Sequence, residues 1–372
     1  MKFLIVTHVP HVLNENQYFG YGPYIHEMNI WLKYTDEVTI LAPLKSKKPT
    51  TIDTAYQHNK VNFKKVPDFS FTNFSNSLVS IFKLPIIFGR VFWAMKKADH
   101  IHLRCPGNMG LIGCLVQILL PGKIKTAKYA GNWDPKSKQP YTYKIQKWIL
   151  NNTFLTRNMT VLVYGQWENQ SKNVKPFFTA TYLESERVFV EKADFNSVLN
   201  FIFVGSLVSG KNPLYAVKLI QGLRDNGYKV VLDLYGEGIE RESLKKYIKI
   251  NNLENFIILH GNQNRNTLKK AYQKSHFVVL PSKSEGWPKA IAEGMFWGCI
   301  PIASNVSCVA YMLDFRNRGI LLEMNLDQDI KQIEKLIEDH GSFETKSNLS
   351  VKWSQYYTTD LFETEIQKLL AK

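Results

Sequence analysis

The chain of 372 residues is 45% hydrophobic, which is enough for two globular domains that each bury a core. Its longest nearly apolar segment, 111–120, is too short to span a bilayer, and its N-terminus resembles a first strand rather than a signal peptide. The net charge of +15 lies almost wholly in the first half, because residues 1–180 contain 23 Lys or Arg and 9 Asp or Glu, against 24 and 23 in residues 181–372. An anionic partner is therefore expected for the first half (a membrane surface, an acidic acceptor or nucleic acid), unless the lysines only keep the surface soluble.

The first half begins with a predicted strand–helix–strand unit. An apolar run at 2–6 predicts a buried strand, and Pro23 suits the first turn of a helix that continues to Leu32. Between them we expect a long loop, 8–22, which places Gly20 and Gly22 at a sheet edge where the missing Cβ lets a ligand approach. Two glycines before a proline are also typical of a simple turn, so both interpretations stay open.

Basic and aromatic residues alternate between positions 60 and 98. A segment of this kind, with Arg90 and Trp93 close together, can lie among the headgroups of a bilayer. Apolar residues at helical spacing within 86–97 favour packing into a core instead. The pattern therefore predicts a helix and leaves membrane contact open for part of the segment.

Two more strands are predicted at 100–105 and 125–129, and both run into polar residues. His100 and His102 share one face of the first strand, but no further ligands stand at metal-binding spacing, so we expect no metal site. The candidates for contacts to an acceptor are Gly20 and the residues at the ends of these strands, namely Arg104, Asn132, Trp133 and Asp134. Asp134 fits a general base, although a turn cap is the more ordinary role.

The second half, after a polar linker at 183–197 that we expect to be exposed, contains another series of strand–helix units. The first turn includes Gly205 and Ser206, and Lys211 stands just before a helix start, where a cation can neutralise phosphate. Two following strands end at Gly236 and at His260.

The stretch 276–304 combines a strand at 277–280, a loop at 281–287, a helix that starts at Pro288 and a second strand at 300–303. A loop at the carboxyl edge of a parallel sheet, beside a helix N-terminus, favours phosphate. Glu285 precedes that helix, and Glu293 lies about 7–8 Å along its axis. A nucleotide sugar would fit, with its diphosphate between the two carboxylates. An isolated pair of this kind is more often two ordinary surface glutamates, and it is the full string Glu285-Gly286-Trp287-Pro288 with Glu293 that favours the nucleotide sugar.

The strings Pro281-Ser282, Glu285-Gly286-x-Pro288 and Glu293-Gly294-Met295-x-x-Gly298-x-x-Pro301 resemble the donor-site signature of GT-B glycosyltransferases of the retaining family four type, the glycosyl transferases group 1. The resemblance implies an α/β fold of two doubly wound Rossmann-like domains that face each other across a cleft. It assigns residues 1–182 to the acceptor, 198–350 to the nucleotide-sugar donor and 351–372 to a helix that returns to the first domain. It covers nearly all of the second domain but only the layout of the first.

The same resemblance implies roles for single residues. Glu285 would act on the donor sugar together with Lys211, and Glu293 would bind the ribose. The remaining donor-binding residues implied are Gly22, Gly205, Ser206, Gly236, His260, Gly286, Trp287, Pro288 and Lys289. Two departures stand out, because the family has an Arg where this chain has Ser206 and often a His near Gly131. Lys289 is the candidate that would replace the missing Arg.

The expected reaction is transfer of a hexosyl unit from a nucleoside-diphosphate sugar to a hydroxyl of a saccharide or lipid-linked acceptor in polysaccharide synthesis, with retention and without a metal or other cofactor. Four cysteines without a Cys-x-x-Cys pair suggest reduced thiols, hence a cytoplasmic protein that can associate with the inner face of the membrane. Nucleic acid is not the expected partner. The alternatives are a GT-B sugar-nucleotide epimerase, an inverting transferase, and a basic peripheral membrane or nucleic-acid-binding protein with a degenerate site.

Overall fold

The computed structural model describes residues 1–50, 52–67, 74–188, 192 and 198–371, and the side chains of its second helix from residue 83 onward. Within it the chain forms two units. The N-terminal unit comprises Met1–Phe178 and Phe362–Lys372, and the C-terminal unit comprises Thr179–Leu361.

The N-terminal unit is built on a parallel sheet flanked by helices. Its strands are β1 (Lys2–Val6), β2 (His11–Asn14), β3 (Gln17–Tyr21), β4 (Glu37–Ala42), β5 (Leu44–Lys45), β6 (Asp53–Ala55), β7 (Val61–Lys65), β8 (His100–Cys105), β9 (Ile124–Tyr129), β10 (Met159–Tyr164) and β11 (Val174–Phe177). Its helices are α1 (Gly22–Leu32), α2 (Phe74–Lys97), α3 (Asn108–Val116) and α4 (Tyr141–Leu150). The main sheet has the order β11-β10-β9-β8-β1-β4-β7, with all neighbours parallel. Helices cover both faces of such a sheet, which is why its central strands are continuous apolar runs.

The predicted loop at 8–22 is wrong. Strands β2 and β3 form an antiparallel hairpin there, and it joins β5 and β6 in a small second sheet. Glu15 and Asn16 connect the two strands with positive φ angles of 49° and 61°. Two left-handed residues are what a tight hairpin turn requires, and the sequence offers Asn16 but no glycine as the signal for it.

The helix predicted from the 86–97 pattern is present as the C-terminal part of α2. Ile87, Val91 and Met95 are fully buried in the core of the N-terminal unit, whereas Ile86 and Trp93 are exposed. None of the described helices combines the length and the hydropathy that a bilayer span requires. The aromatic residues Phe69 and Phe71 of the same basic segment lie outside the described residues.

The C-terminal unit has the second doubly wound sheet. Its strands are β12 (Leu199–Val204), β13 (Val230–Tyr235), β14 (Ile257–Gly261), β15 (Phe277–Leu280), β16 (Ile300–Ser304) and β17 (Ile320–Leu322). Its helices are α5 (Pro213–Asp225), α6 (Arg241–Ile250), α7 (Arg265–Lys274), α8 (Lys289–Phe296), α9 (Val309–Met312), α10 (Leu326–Glu338) and α11 (His340–Ser354). The strand order is β14-β13-β12-β15-β16-β17, all parallel. The strands predicted at 277–280 and 300–303 are present as β15 and β16, whereas β17 was not predicted.

The single helix expected over about 351–371 is interrupted. Helix α11 ends at Ser354, and α12 (Thr359–Leu370) begins after a short turn in which Thr359 N donates to Tyr182 O at 2.9 Å. The predicted exposure of the 183–197 linker is also wrong in part. Lys192 is half-buried, and its ammonium donates to the carbonyl of Ser275 at 2.6 Å just after α7. Glu191 and Asp194 lie outside the described residues.

Candidate functional site

The strand order of the C-terminal unit reverses between β12 and β15, which pair directly with each other. The segments that follow two such neighbouring strands run to opposite faces of the sheet, so a crevice opens at the carboxyl ends of the strands. Ligands of doubly wound sheets bind in this crevice. The loops that follow these two strands are 205–212 and 281–288. They contain Lys211 and Glu285, respectively, and the sheet therefore brings together residues that are 74 positions apart.

Lys211 and Glu285 form an ion pair at this crevice. The ammonium Nζ of Lys211 lies 2.6 Å from Oε1 of Glu285, whose side chain is only 6% exposed, against 30% for that of Lys211. The two loops are also joined through the backbone, because Lys283 N donates to Gly210 O at 2.8 Å. The ammonium of Lys283 reaches the other loop as well and donates to Ser209 Oγ at 2.9 Å. The 205–212 loop therefore carries one lysine of its own, Lys211, and is contacted by a second, Lys283.

The glycine that follows β13 is required by close backbone packing. Gly236 has φ +142°, and a Cβ on it would lie 1.9 Å from the carbonyl oxygen of Gly205. Gly205 N in turn donates to Tyr235 O at 2.9 Å. Gly205 itself has room for a side chain, because a Cβ on it would meet the ring of Phe203 at an ordinary contact distance of 3.7 Å, and Ser206 beside it is exposed.

His260 stands at the end of β14 with its ring fixed on two sides. Its Nε2 lies 2.6 Å from Asp233 Oδ1, and its ring stacks on Tyr235 with centroids 4.4 Å apart and planes 8° from parallel. The side chain is 31% exposed. A partly exposed flat ring at the sheet edge can stack on a nucleotide base, which is the role that the resemblance implies for it.

The turn that precedes α8 is anchored by ring packing and by a hydrogen bond to its backbone. Helix α8 starts at Lys289, one position later than predicted, and Pro288 is its N-cap residue. Trp287 is buried against the rings of Trp353 and Tyr357, with centroids 6.0 Å and 5.7 Å away. The carbonyl of Gly286 accepts a hydrogen bond from Ser307 Oγ at 3.1 Å. The helix N-terminus is thus held rigidly, and its free N–H groups and dipole favour an anion.

Glu293 lies one turn into α8 and is partly buried. Its Oε1 accepts a hydrogen bond from Thr181 Oγ1 at 2.7 Å, and its Oε2 accepts one from Tyr272 OH at 3.2 Å. Burial raises the pKa of the Glu293 carboxyl, and the Thr181 hydrogen bond and the nearby Lys289 ammonium oppose that rise. Lys289 and Glu293 both line a small pocket with Thr181. Lys289 is therefore placed beside Glu293.

The glycines expected at the ligand edge of the N-terminal unit face their own chain. A Cβ on Gly22 would lie 2.8 Å from the carbonyl oxygen of Ile52, which Gly22 N also contacts at 2.8 Å. A Cβ on Gly20 would meet the side chain of Ile25 at 3.1 Å. The close approach that these glycines allow is thus explained by packing against Ile52 and Ile25.

Arg104 belongs to a buried charge cluster at the carboxyl ends of β8 and β9. Its Nη1 lies 3.0 Å from Oε1 of Glu27, and the ammonium of Lys128 lies 3.2 Å from the same oxygen. Lys128 is fully buried and also donates to Phe178 O at 2.9 Å. Two cations share one carboxylate, so this sheet edge carries a net positive charge even in its buried layer.

The segment after β9 forms a turn rather than an open catalytic edge. Asn132 Oδ1 accepts a hydrogen bond from Asp134 N at 2.9 Å, and Asp134 Oδ1 accepts one from Lys136 N at 2.8 Å. Trp133 is buried and packs edge-on against Tyr129 with centroids 4.9 Å apart. The Asp134 carboxylate thus caps a turn, which was the more ordinary of its two predicted roles.

Two of the observed partners had no signal in the sequence. Thr181 and Tyr272 contact Glu293 from distant positions, and no spacing rule connects them to it. Lys283 could have been recognised, because it stands inside the loop that the motif defines and is exposed.

His100 and His102 are buried, and both rings bond to the hydroxyl of Thr126 at 2.9 Å. Burial lowers their pKa to about 4 and about 3, so both rings are neutral at pH 7.

The comparison with known families identifies the C-terminal part of the chain. Residues 187–357 match the family model of glycosyl transferases group 1, and this range includes both loops, α8 and the Lys211–Glu285 pair. This part of the chain is similar to the glycosyl transferases of group 1. The resemblance predicted from the Glu285 and Glu293 motif is therefore confirmed.

Relatives and solved structures show similarity beyond this range. Protein CapJ of Staphylococcus aureus is 24% identical over 373 residues, which cover 94% of this chain and 91% of CapJ. An Escherichia coli UDP-Gal:alpha-D-GlcNAc-diphosphoundecaprenol alpha-1,3-galactosyltransferase is 31% identical over 143 residues, 37% of this chain and 36% of that protein. The Anabaena protein Alr3699/HepE in complex with UDP has a TM-score of 0.70 at 14% identity, covering 100% of this chain and 99% of that one. The predicted GT-B fold of two Rossmann-like domains is confirmed.

Proposed function

We propose that this protein transfers a glycosyl unit from a UDP-sugar to a hydroxyl of a saccharide or lipid-linked acceptor, with retention at the anomeric carbon and without an essential metal. The observation that carries the proposal is the convergence of Lys211, Glu285 and the α8 N-terminus at the switch point between β12 and β15. A cation and a helix dipole aimed at one place stabilise the negative charge that develops on a departing diphosphate.

The choice of UDP rests on relatives rather than on this chain. The Anabaena neighbour was solved with UDP, and the E. coli relative is named for UDP-Gal as donor and for a diphosphoundecaprenol-linked acceptor. In our proposal the C-terminal unit binds the donor, with Glu285 against the sugar and Glu293 against the ribose hydroxyls. The N-terminal unit, by its layout, receives the acceptor. The protein would act in the cytoplasm, at the inner face of the membrane.

Lys283 is our candidate for the second cation that compensates the diphosphate. The resemblance implies an Arg where this chain has Ser206, and Lys289, the first candidate to replace it, neighbours Glu293 on α8. Lys283 is exposed, and its ammonium already contacts the 205–212 loop through Ser209. Two lysines on one loop provide the charge that a diphosphate requires.

A calorimetric titration with UDP tests the role of Lys283. Lys283→Gln is expected to weaken UDP binding about tenfold, because a charged hydrogen bond to phosphate contributes roughly 1.5 kcal/mol or more. The matched control is Lys270→Gln, which removes an exposed lysine from α7 of the same unit. Adding Ser206→Arg to the Lys283→Gln variant should restore binding. Equal affinity of Lys283→Gln and Lys270→Gln would contradict the assignment.

The proposed reaction is tested by a screen of UDP, GDP and ADP for thermal stabilisation, followed by turnover assays with the sugar nucleotides of the base that binds. A ligand that binds only the folded state raises the melting temperature. Turnover should persist in EDTA, and the product should keep the anomeric configuration of the donor. Conversion of the donor sugar without any acceptor would indicate an epimerase instead, and an inverted product would refute retention.

A further inference from the structure

A groove of about 550 Å³ opens on the N-terminal unit. One side is formed by the carboxyl ends of β4 and β7, where Leu41, Lys64 and Lys65 line it. The other side is the exposed face of α2, whose residues Ile86, Arg90 and Trp93 line it. The groove thus lies at the ligand edge of the N-terminal sheet and outside the residues proposed to bind the donor.

Helix α2 presents a regular stripe to solvent because its opposite face is fixed in the core. Ile87 and Val91 are fully buried, so the helix cannot turn its outer face inward. Ile86, Arg90 and Trp93 follow each other at spacings of four and three residues, which places them on one face. Ile86 and Trp93 are each 57% exposed. Two large apolar side chains with a cation between them are therefore held at the surface.

The charged side chains among the described residues that line the groove are all cations, namely Lys64, Lys65 and Arg90. The sequence of α2 contains four Lys or Arg and no Asp or Glu. Arg90 Nη1 donates to the carbonyl of Lys65 at 3.3 Å, which places the guanidinium next to the two lysines of β7. The ammonium of Lys96 lies 5.0 Å from the ring centre of Trp93. Concentrated positive charge beside exposed apolar side chains complements an anionic amphiphile.

We propose that this groove docks the N-terminal unit on an anionic bilayer leaflet. Lys64, Lys65 and Arg90 bind lipid phosphates, while Trp93 and Ile86 enter the boundary between headgroups and acyl chains. Tryptophan prefers that boundary, and juxtamembrane cations are attracted to anionic leaflets. A nucleic acid would use the cations but would leave the exposed Ile86 without a partner. The bilayer accounts for both kinds of side chain.

The test is co-sedimentation of the full chain with vesicles of phosphatidylglycerol and phosphatidylcholine in equal parts, compared with phosphatidylcholine alone. We expect binding to the anionic vesicles only, and a loss of binding as salt is raised. The double variant Lys64→Gln, Lys65→Gln should bind about fivefold more weakly for each cation removed. Trp93→Ser should weaken binding at least as much, because it removes the apolar anchor.

Matched controls come from the same unit. Trp148→Ser removes a tryptophan that is 64% exposed on α4, and the double variant Lys172→Gln, Lys175→Gln removes two exposed lysines near β11. Both should bind the vesicles like the unaltered protein. Melting temperature and UDP affinity, measured without vesicles, should be the same in every variant. These two readouts separate a failure of the fold, or of the proposed donor site, from a failure of membrane docking.

Three outcomes would overturn the proposal. The first is equal binding to neutral and anionic vesicles. The second is competition by soluble glycerol phosphate without any vesicle binding, which would identify a site for free phosphate. The third is tight binding of a short RNA that Lys64→Gln, Lys65→Gln abolishes and Trp93→Ser leaves unchanged, which would identify a nucleic-acid surface.

Discussion

Replacement of Glu285 by Gln is predicted to strengthen UDP binding while it abolishes sugar transfer. The Lys211 ammonium is paired with Glu285 at 2.6 Å, so it must weaken that contact before it can serve a diphosphate. Glu285 also places a nearly buried negative charge beside the phosphate site. Removing the carboxylate charge eliminates both the competing partner and the repulsion, and both effects favour the diphosphate.

The magnitude follows from the geometry of the pair. A hydrogen bond to a charged group contributes roughly 1.5–3 kcal/mol to stability. Because the Lys211 side chain is 30% exposed, solvent compensates part of its contact, and we take about 1 kcal/mol as the share that UDP regains. That free energy corresponds to a dissociation constant about fivefold lower for Glu285→Gln.

The assay is isothermal titration calorimetry with UDP at pH 7, and Glu334→Gln on α10 is the control for a change of net charge in the same unit. Lys211→Met should act in the opposite direction. It should weaken UDP binding, and it should lower the free energy of unfolding by about 2 kcal/mol because the Glu285 carboxylate stays buried without its cation. Equal or weaker UDP binding by Glu285→Gln would refute the reasoning, since it would mean that Lys211 serves both partners at once.

Three further predictions concern single features of the two units. Gly236→Ala should lower the free energy of unfolding by at least about 2 kcal/mol in a denaturant titration, because its Cβ would collide with a backbone carbonyl, whereas Gly210→Ala, with open space around it, should have no effect. Stability should fall as the pH drops from about 6.5 toward 4, since the folded state keeps His100 and His102 neutral while the unfolded chain protonates them. Each of the two histidines lowers the free energy of unfolding by up to ~1.4 kcal/mol per pH unit in this range. Unchanged stability between pH 7 and pH 5 would contradict this prediction. Burial raises the pKa of the Glu293 carboxyl, so the affinity for UDP should decline on acidification as this carboxylate becomes protonated. Glu293→Gln should bind UDP more weakly, and its affinity should not depend on pH. If Glu293→Gln leaves the pH profile of UDP binding unchanged, the ribose role is contradicted.

Much of the fold could be predicted from the sequence because the physical signal was local. Strands buried on both faces of a parallel sheet must be continuous apolar runs, and Pro23, Pro213 and Pro288 stand at or next to helix starts as their fixed φ requires. The hairpin at 11–21 could not be predicted in the same way. Its turn uses Glu15 in a left-handed conformation, which glutamate rarely adopts, so the sequence did not resemble a turn.

The motif that contains Glu285 and Glu293 was recognisable in the sequence for the same local reason. A strand, a phosphate-favouring helix start and two carboxylates at fixed spacing lie within thirty residues, and the sequence alone established that they belong to one edge of one sheet. The resemblance further implies an Arg where this chain has Ser206, which is why another cation is sought.

Only the tertiary structure decided which side chains meet. The pairing of β12 with β15 brings Lys211 to Glu285 and Lys283 to Ser209. In the N-terminal unit, tertiary packing sets Gly22 against the backbone of Ile52 and Gly20 against the side chain of Ile25. The physical reason is that strand order in a sheet is set by packing of the whole unit, while sequence patterns report only on each segment and its immediate neighbours.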